Sequence, residues 1–211
     1  MTTGLLLFAT INSQPSEVDF TPLYKPNHTY LYELKADMEE VNTHLKIDFI
    51  LNIHSTENGK SLGTVEVLSA TNAGQDTGMA MPPTKTTFGK NGIPIDGENF
   101  EKAGLMVYVG LCTAYLPAET LKPKASYKIE RKSDAFNLNG KGTFTKTTQD
   151  KLAVLESKTH ANPTNFDPAD LTTKLYFNPE TKQVVRTKST MTVGENSIEL
   201  SLTLKSVKPT P

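Results

Sequence analysis

The chain has 211 residues, with 22 basic and 23 acidic side chains, a formal net charge of -1 and a single cysteine, Cys112. This length falls within the range of one all-β sandwich or barrel and is long enough to bury about 70% of the unfolded surface, so no cross-links are needed. The charges nearly cancel and are spread along the chain, which argues against a nucleic-acid partner, and one cysteine excludes an intramolecular disulfide.

The first residues contain the only candidate targeting signal. Within residues 1–14, the short apolar run Gly4–Ala9 is followed by polar residues and Pro15. The run resembles the end of a secretory signal peptide. No Lys or Arg precedes it, so a signal here would be a truncated one. The alternative is an ordinary first strand. No stretch reaches the roughly 20 apolar residues of a transmembrane helix. The sequence predicts one domain over 15–211 that does not span a membrane and is periplasmic, cell-envelope or secreted.

Alternating apolar and polar residues predict three strands in the first third of the chain. Tyr30–Met38 alternates with a period of two, and Leu45–Ile53 repeats the pattern with Phe49 on its apolar face. Asn58-Gly59 is typical of the tight turn of a hairpin, and a third strand follows at Leu62–Leu68. These runs indicate half-buried antiparallel strands.

A less regular region follows the third strand. Ala70–Pro83 is rich in Gly, Thr and Pro and predicts a loop that contains Met79 and Met81. A second hairpin signal follows at Asn91-Gly92.

The spacing of apolar residues then changes from two to three and four. Phe100, Val107 and Leu111 fall on one stripe and predict a helix over Glu98–Thr113. Gly104 and Gly110 each cost about 1 kcal/mol relative to alanine, so this helix depends on packing against a sheet.

The C-terminal half returns to alternation. In the first of its strands, Gly140 and Gly142 share a face with Phe144 and indicate a bend, a bulge or close contact. The strands predicted here are 136–144, 152–159, 171–177, 184–193 and 198–207. The predicted fold is therefore mainly β: a curved antiparallel sheet, half-barrel or barrel-like meander, with one main helix packed on it.

This order of elements resembles uncharacterised secreted bacterial β-rich proteins. The residues that support the resemblance are Tyr30–Lys35, the helix exit Leu116-Pro117 and the hairpin sequence Tyr176–Lys182. The overall plan is also similar to that of periplasmic lipoprotein carriers, in which a curved sheet encloses an apolar cavity. The resemblance transfers no binding residue, and the single predicted helix departs from the several lid helices of those carriers.

No set of residues points to catalysis, a cofactor or a metal. Cys112 adjoins the apolar helix stripe and is interpreted as a small buried hydrophobe rather than a nucleophile. His44 and His54 share a face of one strand and are interpreted as exposed polar positions. A hydrolase that uses carboxylates far apart in the sequence stays open. We predict a chain that is not an enzyme and has no cofactor.

Two non-enzymatic functions remain. The first is a domain that binds a lipid or another apolar or amphiphilic ligand, and the second is a structural or protein-interaction domain with an envelope protein as partner. For the first, the loop around Met79 and Met81 is predicted to act as a flap that an apolar ligand can replace. The predicted ligand or flap residues are Met79, Met81, Phe100, Val107, Leu111 and Phe49.

Overall fold

The computed structural model describes residues 17–78, 81–89, 94–97, 104–132, 136–163 and 167–210. The predicted signal segment, residues 1–14, lies outside these ranges. The elements are β1 (Val18–Asp19), β2 (His28–Met38), a 3₁₀ turn (Glu39–Val41), β3 (Thr43–Glu57), β4 (Lys60–Asn72), β5 (Gln75–Asp76), β6 (Met81–Phe88), β7 (Pro94–Gly97), α1 (Gly104–Thr113), β8 (Thr120–Leu121), β9 (Ser126–Lys132), β10 (Phe136–Thr147), β11 (Ala153–Pro163), β12 (Ala169–Asn178), β13 (Gln183–Val193) and β14 (Asn196–Pro209). No helix in these ranges is both long enough and apolar enough to cross a bilayer.

One large antiparallel sheet dominates the fold, as the alternation predicted. Its strand order is β7-β6-β4-β3-β2-β14-β13-β12-β11-β10-β9, with β5 paired to β4 at the side. Two meanders, β2 to β7 and β9 to β14, are joined where β2 pairs with β14. Because β7 and β9 end the sheet at opposite edges, the predicted antiparallel sheet is confirmed, but the barrel among its predicted forms is wrong. The sheet is an open one.

The inner face of this sheet is apolar along its middle strands. Every second residue of β2 from Tyr30 to Ala36 is buried, and so is every second residue of β3 from Ile47 to Ile53. In β14 the alternation confirms the predicted face at Leu200 and Leu202. These residues belong to one hydrophobic cluster that also contains the C-terminal half of α1. The outer face carries the polar residues of the same strands.

The helix differs from its prediction in length and surroundings. α1 is a ten-residue helix from Gly104 to Thr113, so one main helix over Glu98–Thr113 overstated it; residues 98–103 lie outside the described ranges. All five of its last residues, from Val109 on, are buried. A helix that is apolar all round belongs inside a core. The described end of α1 is therefore enclosed, whereas the sequence predicted only one apolar stripe that packs on a sheet.

The predicted loop Ala70–Pro83 is mostly ordered strand. β4 continues to Asn72, a tight turn at Ala73-Gly74 leads into β5, and β6 begins at Met81. Both turn residues have positive φ angles, 49° and 82°. Composition suggested a loop because Gly and Thr are abundant, but Gly74 supplies the left-handed backbone that a hairpin turn needs.

Both hairpin signals fall between paired strands. Asn58 and Gly59 have φ angles of 51° and 75° and connect β3 to β4, which confirms the first turn. Asn91-Gly92 lies outside the described residues, between β6 and β7, which pair in antiparallel fashion.

The segment before β2 packs inside the sheet, which the alternation did not reveal. The ring of Phe20 lies 5.2 Å from that of Phe144 in β10, and Tyr24 lies 5.4 Å from Phe88 in β6. These two strands belong to opposite meanders. The segment therefore connects the two halves of the open sheet. An ion pair of 2.6 Å between Asp19 and Lys182 holds the start of this segment. The Lys182 ammonium lowers the pKa of Asp19 to about 2.

Candidate binding site

The predicted ligand residues are only partly placed by the structure. Phe49 in β3 and Leu111 in α1 are both buried in the same hydrophobic cluster. Met81 starts β6 opposite Val67, and Val107 lies within α1. Met79 and Phe100 lie outside the described residues. The structure thus brings Phe49 and Leu111 into one core and leaves the flap a prediction.

One small pocket beside the end of α1 is bounded by described residues and is partly open to solvent. It holds about 10 Å³, close to the space of a single water molecule. It is bordered by the rings of Tyr24 and Tyr32, by Thr113 and Leu116 at the end of α1, and by the exposed side chain of Leu23. The side chains around this pocket leave no room for a larger molecule.

A polar patch interrupts the apolar inner face on β11, β12 and β13. Ser157, Thr173 and Ser189 stand directly opposite one another on the three strands. Thr159 and Thr187 each lie two residues away on the same face, and all five are buried. The hydroxyl of Tyr115, just after α1, completes the patch. We call the hydroxyl cluster the side chains of Tyr115, Ser157, Thr159, Thr173, Thr187 and Ser189.

Edge strand β9 positions Tyr115 beside the hydroxyls of β11, β12 and β13. The Tyr127 hydroxyl donates a hydrogen bond of 2.7 Å to the Tyr115 carbonyl, and the Arg131 guanidinium donates to the next carbonyl, that of Leu116. These carbonyls follow the C-terminus of α1, where a positive charge is favourable. Room for the Tyr127 ring exists because residue 142 is glycine: a Cβ there would lie 2.3 Å from the ring. The backbone at Tyr115 is thus positioned from two sides.

The environment of the Tyr115 hydroxyl is buried and uncharged. Burial raises the pKa of Tyr115 well above its usual value, and the nearby hydroxyls of Thr173, Thr159 and Ser189 oppose this rise only in part. The neighbouring thiol of Cys112 is fully buried, and burial raises its pKa to about 12. Cys112 is therefore a protonated core residue, which confirms its interpretation as a small buried hydrophobe.

Most of the cluster's hydroxyls are left without a hydrogen bond. Thr173 and Ser189 pair with each other at 2.9 Å. The oxygens of Tyr115, Ser157, Thr159 and Thr187 have no partner in hydrogen-bond geometry among the described residues, although the hydroxyls of Thr159, Thr173 and Ser189 lie near that of Tyr115. A buried hydroxyl without a partner costs about 1–3 kcal/mol, so several together indicate that a water or another polar group belongs beside them.

Removal of one such hydroxyl is expected to stabilise the ligand-free protein. Thr187→Val keeps the side-chain shape at a fully buried position and deletes an oxygen that has no partner in the described part of the chain. We expect the free energy of unfolding to rise by about 1 kcal/mol in urea titrations followed by circular dichroism. Thr173→Val, which breaks the pair with Ser189, should lower it by about the same amount. A loss of stability in Thr187→Val would show that its hydroxyl is already satisfied.

The histidines do not form a metal site in the described ranges. His44 contacts Asp37 at 3.0 Å, and His160 contacts Asp170 at 2.9 Å. His44 and His54 are ten residues apart on β3, about 33 Å along an extended strand, and so cannot share an ion. Within the described parts of the chain, no three His, Cys, Asp or Glu side chains meet in a metal-binding group.

Comparison with known proteins gives a weak likeness in backbone alone. In sequence, no family model and no curated protein matches the chain. A structure from Bacteroides fragilis, provisionally described as an exported protein with a YmcC-like fold, is 7% identical with a TM-score of 0.41. One from Parabacteroides distasonis, provisionally described as a lipoprotein, is 11% identical with a TM-score of 0.41. Each comparison covers 90% of this chain and 99% of the other. Neither description names a lipoprotein carrier, and likeness at this level transfers no ligand or activity.

Proposed function

We propose that this chain is a non-enzymatic binding domain of the cell envelope or of secreted type, and that it takes an amphiphilic ligand with an uncharged polar head. The observation that carries the proposal is the hydroxyl cluster: buried polar oxygens that lack partners in the described chain and lie beside the hydrophobic core. A ligand head that donates and accepts hydrogen bonds would satisfy them. The apolar part of the ligand would lie on the inner face of the sheet.

The head group is assigned from the chemistry of its neighbours. The cluster consists of hydroxyls, and its neighbour Cys112 is a protonated thiol. Transfer of an ionised group into such a site is strongly unfavourable, whereas an alcohol or ester loses little when each oxygen finds a hydroxyl partner. The proposed ligand class is therefore neutral lipids that carry free hydroxyls, such as monoacylglycerols.

Entry of a ligand requires the core to open. Phe49 and Leu111 are buried in the hydrophobic core, and a lipid tail would have to displace apolar side chains of that core. The flap at Met79 and Met81 remains our proposed route, and its opening would require Met81 to leave its pairing with Val67. Phe100 and Val107 remain proposed ligand residues. Displaced side chains and the tail are both apolar, so the exchange costs little hydrophobic free energy, since about the same apolar area stays out of water.

The second candidate function, a structural or protein-interaction domain, is favoured by one observation. The partly open pocket beside the end of α1 has room for about one water, so the described side chains around it leave no space for a ligand there. In that case ordered water molecules would satisfy the hydroxyl cluster. The two candidates differ in whether a neutral amphiphile binds saturably to the folded protein.

Titration with a pyrene-labelled monoacylglycerol tests the proposal. Saturable binding is expected, and Tyr115→Phe and Thr187→Val should each weaken it about tenfold through loss of one hydrogen bond to the head. A pyrene-labelled fatty acid at pH 8 should bind about tenfold more weakly or worse, since burial of its carboxylate among uncharged hydroxyls is unfavourable. Thr86→Val, an inner-face change on β6, is the matched control and should leave the affinity unchanged. Absence of binding to the folded protein would reject the proposal and leave the interaction domain.

A further inference from the structure

The outer face of the sheet contains an open groove. It lies on the side of the sheet opposite to the side chains of the hydroxyl cluster. It has a volume of about 900 Å³ and crosses β10 to β14. Its floor includes the backbone of Gly140 and that of Ser157, Thr173 and Ser189, whose side chains point to the inner face. Its sides are formed by outward side chains, chiefly lysines and threonines.

Four lysines cross the groove in a continuous line. Lys141 on β10 stands directly opposite Lys158 on β11, and Lys174 on β12 stands directly opposite Lys188 on β13. Lys158 and Lys174 are diagonal neighbours on adjacent strands. Like charges that face each other across strands destabilise a sheet. The line covers three strand spacings, about 15 Å.

Few carboxylates balance these lysines. Glu156 pairs with Lys174 at 2.8 Å, and Glu199 accepts a hydrogen bond of 2.7 Å from Thr190. Lys141, Lys158 and Lys188 have no carboxylate within 4 Å among the described residues, although the whole chain has a net charge of -1. The four lysines and two glutamates that line the groove give it a net charge of about +2, against -1 for the whole chain.

We infer that this groove binds an acidic polysaccharide. The ammonium groups of the line are placed to meet successive carboxylates of a polymer lying across the strands. The hydroxyls of Thr143, Thr172 and Thr190 line the same groove and can exchange hydrogen bonds with sugar hydroxyls. No aromatic side chain is among the described residues that line it, so the stacking platform that single-stranded nucleic acid uses is missing there.

Binding of polygalacturonate, measured by calorimetry at low ionic strength, tests this inference. The double variant Lys158→Ala/Lys188→Ala should bind roughly tenfold more weakly, since each exposed ion pair contributes up to about 1 kcal/mol. Lys158→Arg/Lys188→Arg should keep the affinity. The matched control Lys60→Ala/Lys85→Ala removes the same charge from the opposite meander and should change the affinity less than about twofold. Added salt should weaken binding of the natural chain.

Three results would overturn the inference. They are equal weakening by the groove and control variants, no loss in the groove variant while circular dichroism shows it folded, and binding of oligodeoxythymidylate as tight as that of polygalacturonate. The monoacylglycerol affinity should be the same in the groove variant and the natural chain, because the two sites lie on opposite faces of the sheet. This readout separates a failure here from a failure of the proposed interior site.

Discussion

Replacement of Phe20 by alanine is expected to lower the free energy of unfolding by about 3–5 kcal/mol. The Phe20 side chain is fully buried. Its ring packs edge-on against that of Phe144, with ring centres 5.2 Å apart, and at a tilt against that of Phe177, with ring centres 5.3 Å apart. Alanine would leave a cavity at the place where the N-terminal segment meets β10 and β12. Urea denaturation followed by circular dichroism measures the effect, which suits a chain without tryptophan.

Two further variants make the Phe20 prediction decisive. Phe20→Leu keeps most of the apolar volume and should cost about 1.5 kcal/mol or less, so it stays measurable even where Phe20→Ala does not fold. Leu23→Ala, at a position 46% exposed in the same segment, should cost less than about 1 kcal/mol. A loss below 1 kcal/mol in Phe20→Ala would show that this segment does not contribute to the core.

Gly140→Ala is expected to cost about 3 kcal/mol, the upper end of the usual range for overpacking. A Cβ at this position would lie 2.2 Å from the backbone oxygen of Lys158 and 2.7 Å from Cα of Thr159. Both are backbone atoms of the neighbouring strand, so relief requires β10 and β11 to separate and lose ladder hydrogen bonds. The midpoint of urea unfolding reports the change.

Gly194→Ala provides the comparison. Nothing lies within 4 Å of a Cβ at Gly194, whose φ is +60°, so alanine there pays only for a left-handed backbone, about 1 kcal/mol. If Gly140→Ala costs no more than Gly194→Ala, the close approach of β10 and β11 is not as the structure has it.

Much of the sheet was predictable because its inner residues are strongly alternating. The period of two in β2, β3 and β14 identified which side chains are buried, and Asn58-Gly59 identified a turn by its backbone requirement. The pairing of β2 with β14 was not predictable, since it joins residues from opposite ends of the chain and no local pattern encodes it. Alternation also carries no information on whether a sheet closes.

The spacing of apolar residues in α1 predicted only part of its burial. Residues at three- and four-residue spacing predicted one apolar stripe, but Gly110 and Thr113 are buried as well. Their environment depends on how the sheet surrounds the end of α1, which is a tertiary property. The N-terminal segment around Phe20 was missed for the same reason, because Phe20 contacts Phe144 and Phe177, which lie more than a hundred residues away in the sequence.

The candidate site left a weaker trace in the sequence. Thr173 interrupts the apolar positions of β12 between Leu171 and Leu175, so the buried hydroxyl was detectable as a polar residue in an apolar phase. Thr187 and Ser189 do the same in β13. The place of Tyr115 opposite them was not detectable, because Tyr127 and Arg131 of another strand determine it.

A crystal structure of the protein with bound monoacylglycerol tests the central claim most directly. The proposal predicts a head-group oxygen about 3 Å from the Tyr115 hydroxyl and within hydrogen-bond distance of Thr159 or Thr187, with the tail along the inner face of the sheet. Ordered water at every oxygen of the hydroxyl cluster, with the lipid absent from the interior at saturating concentration, would contradict it.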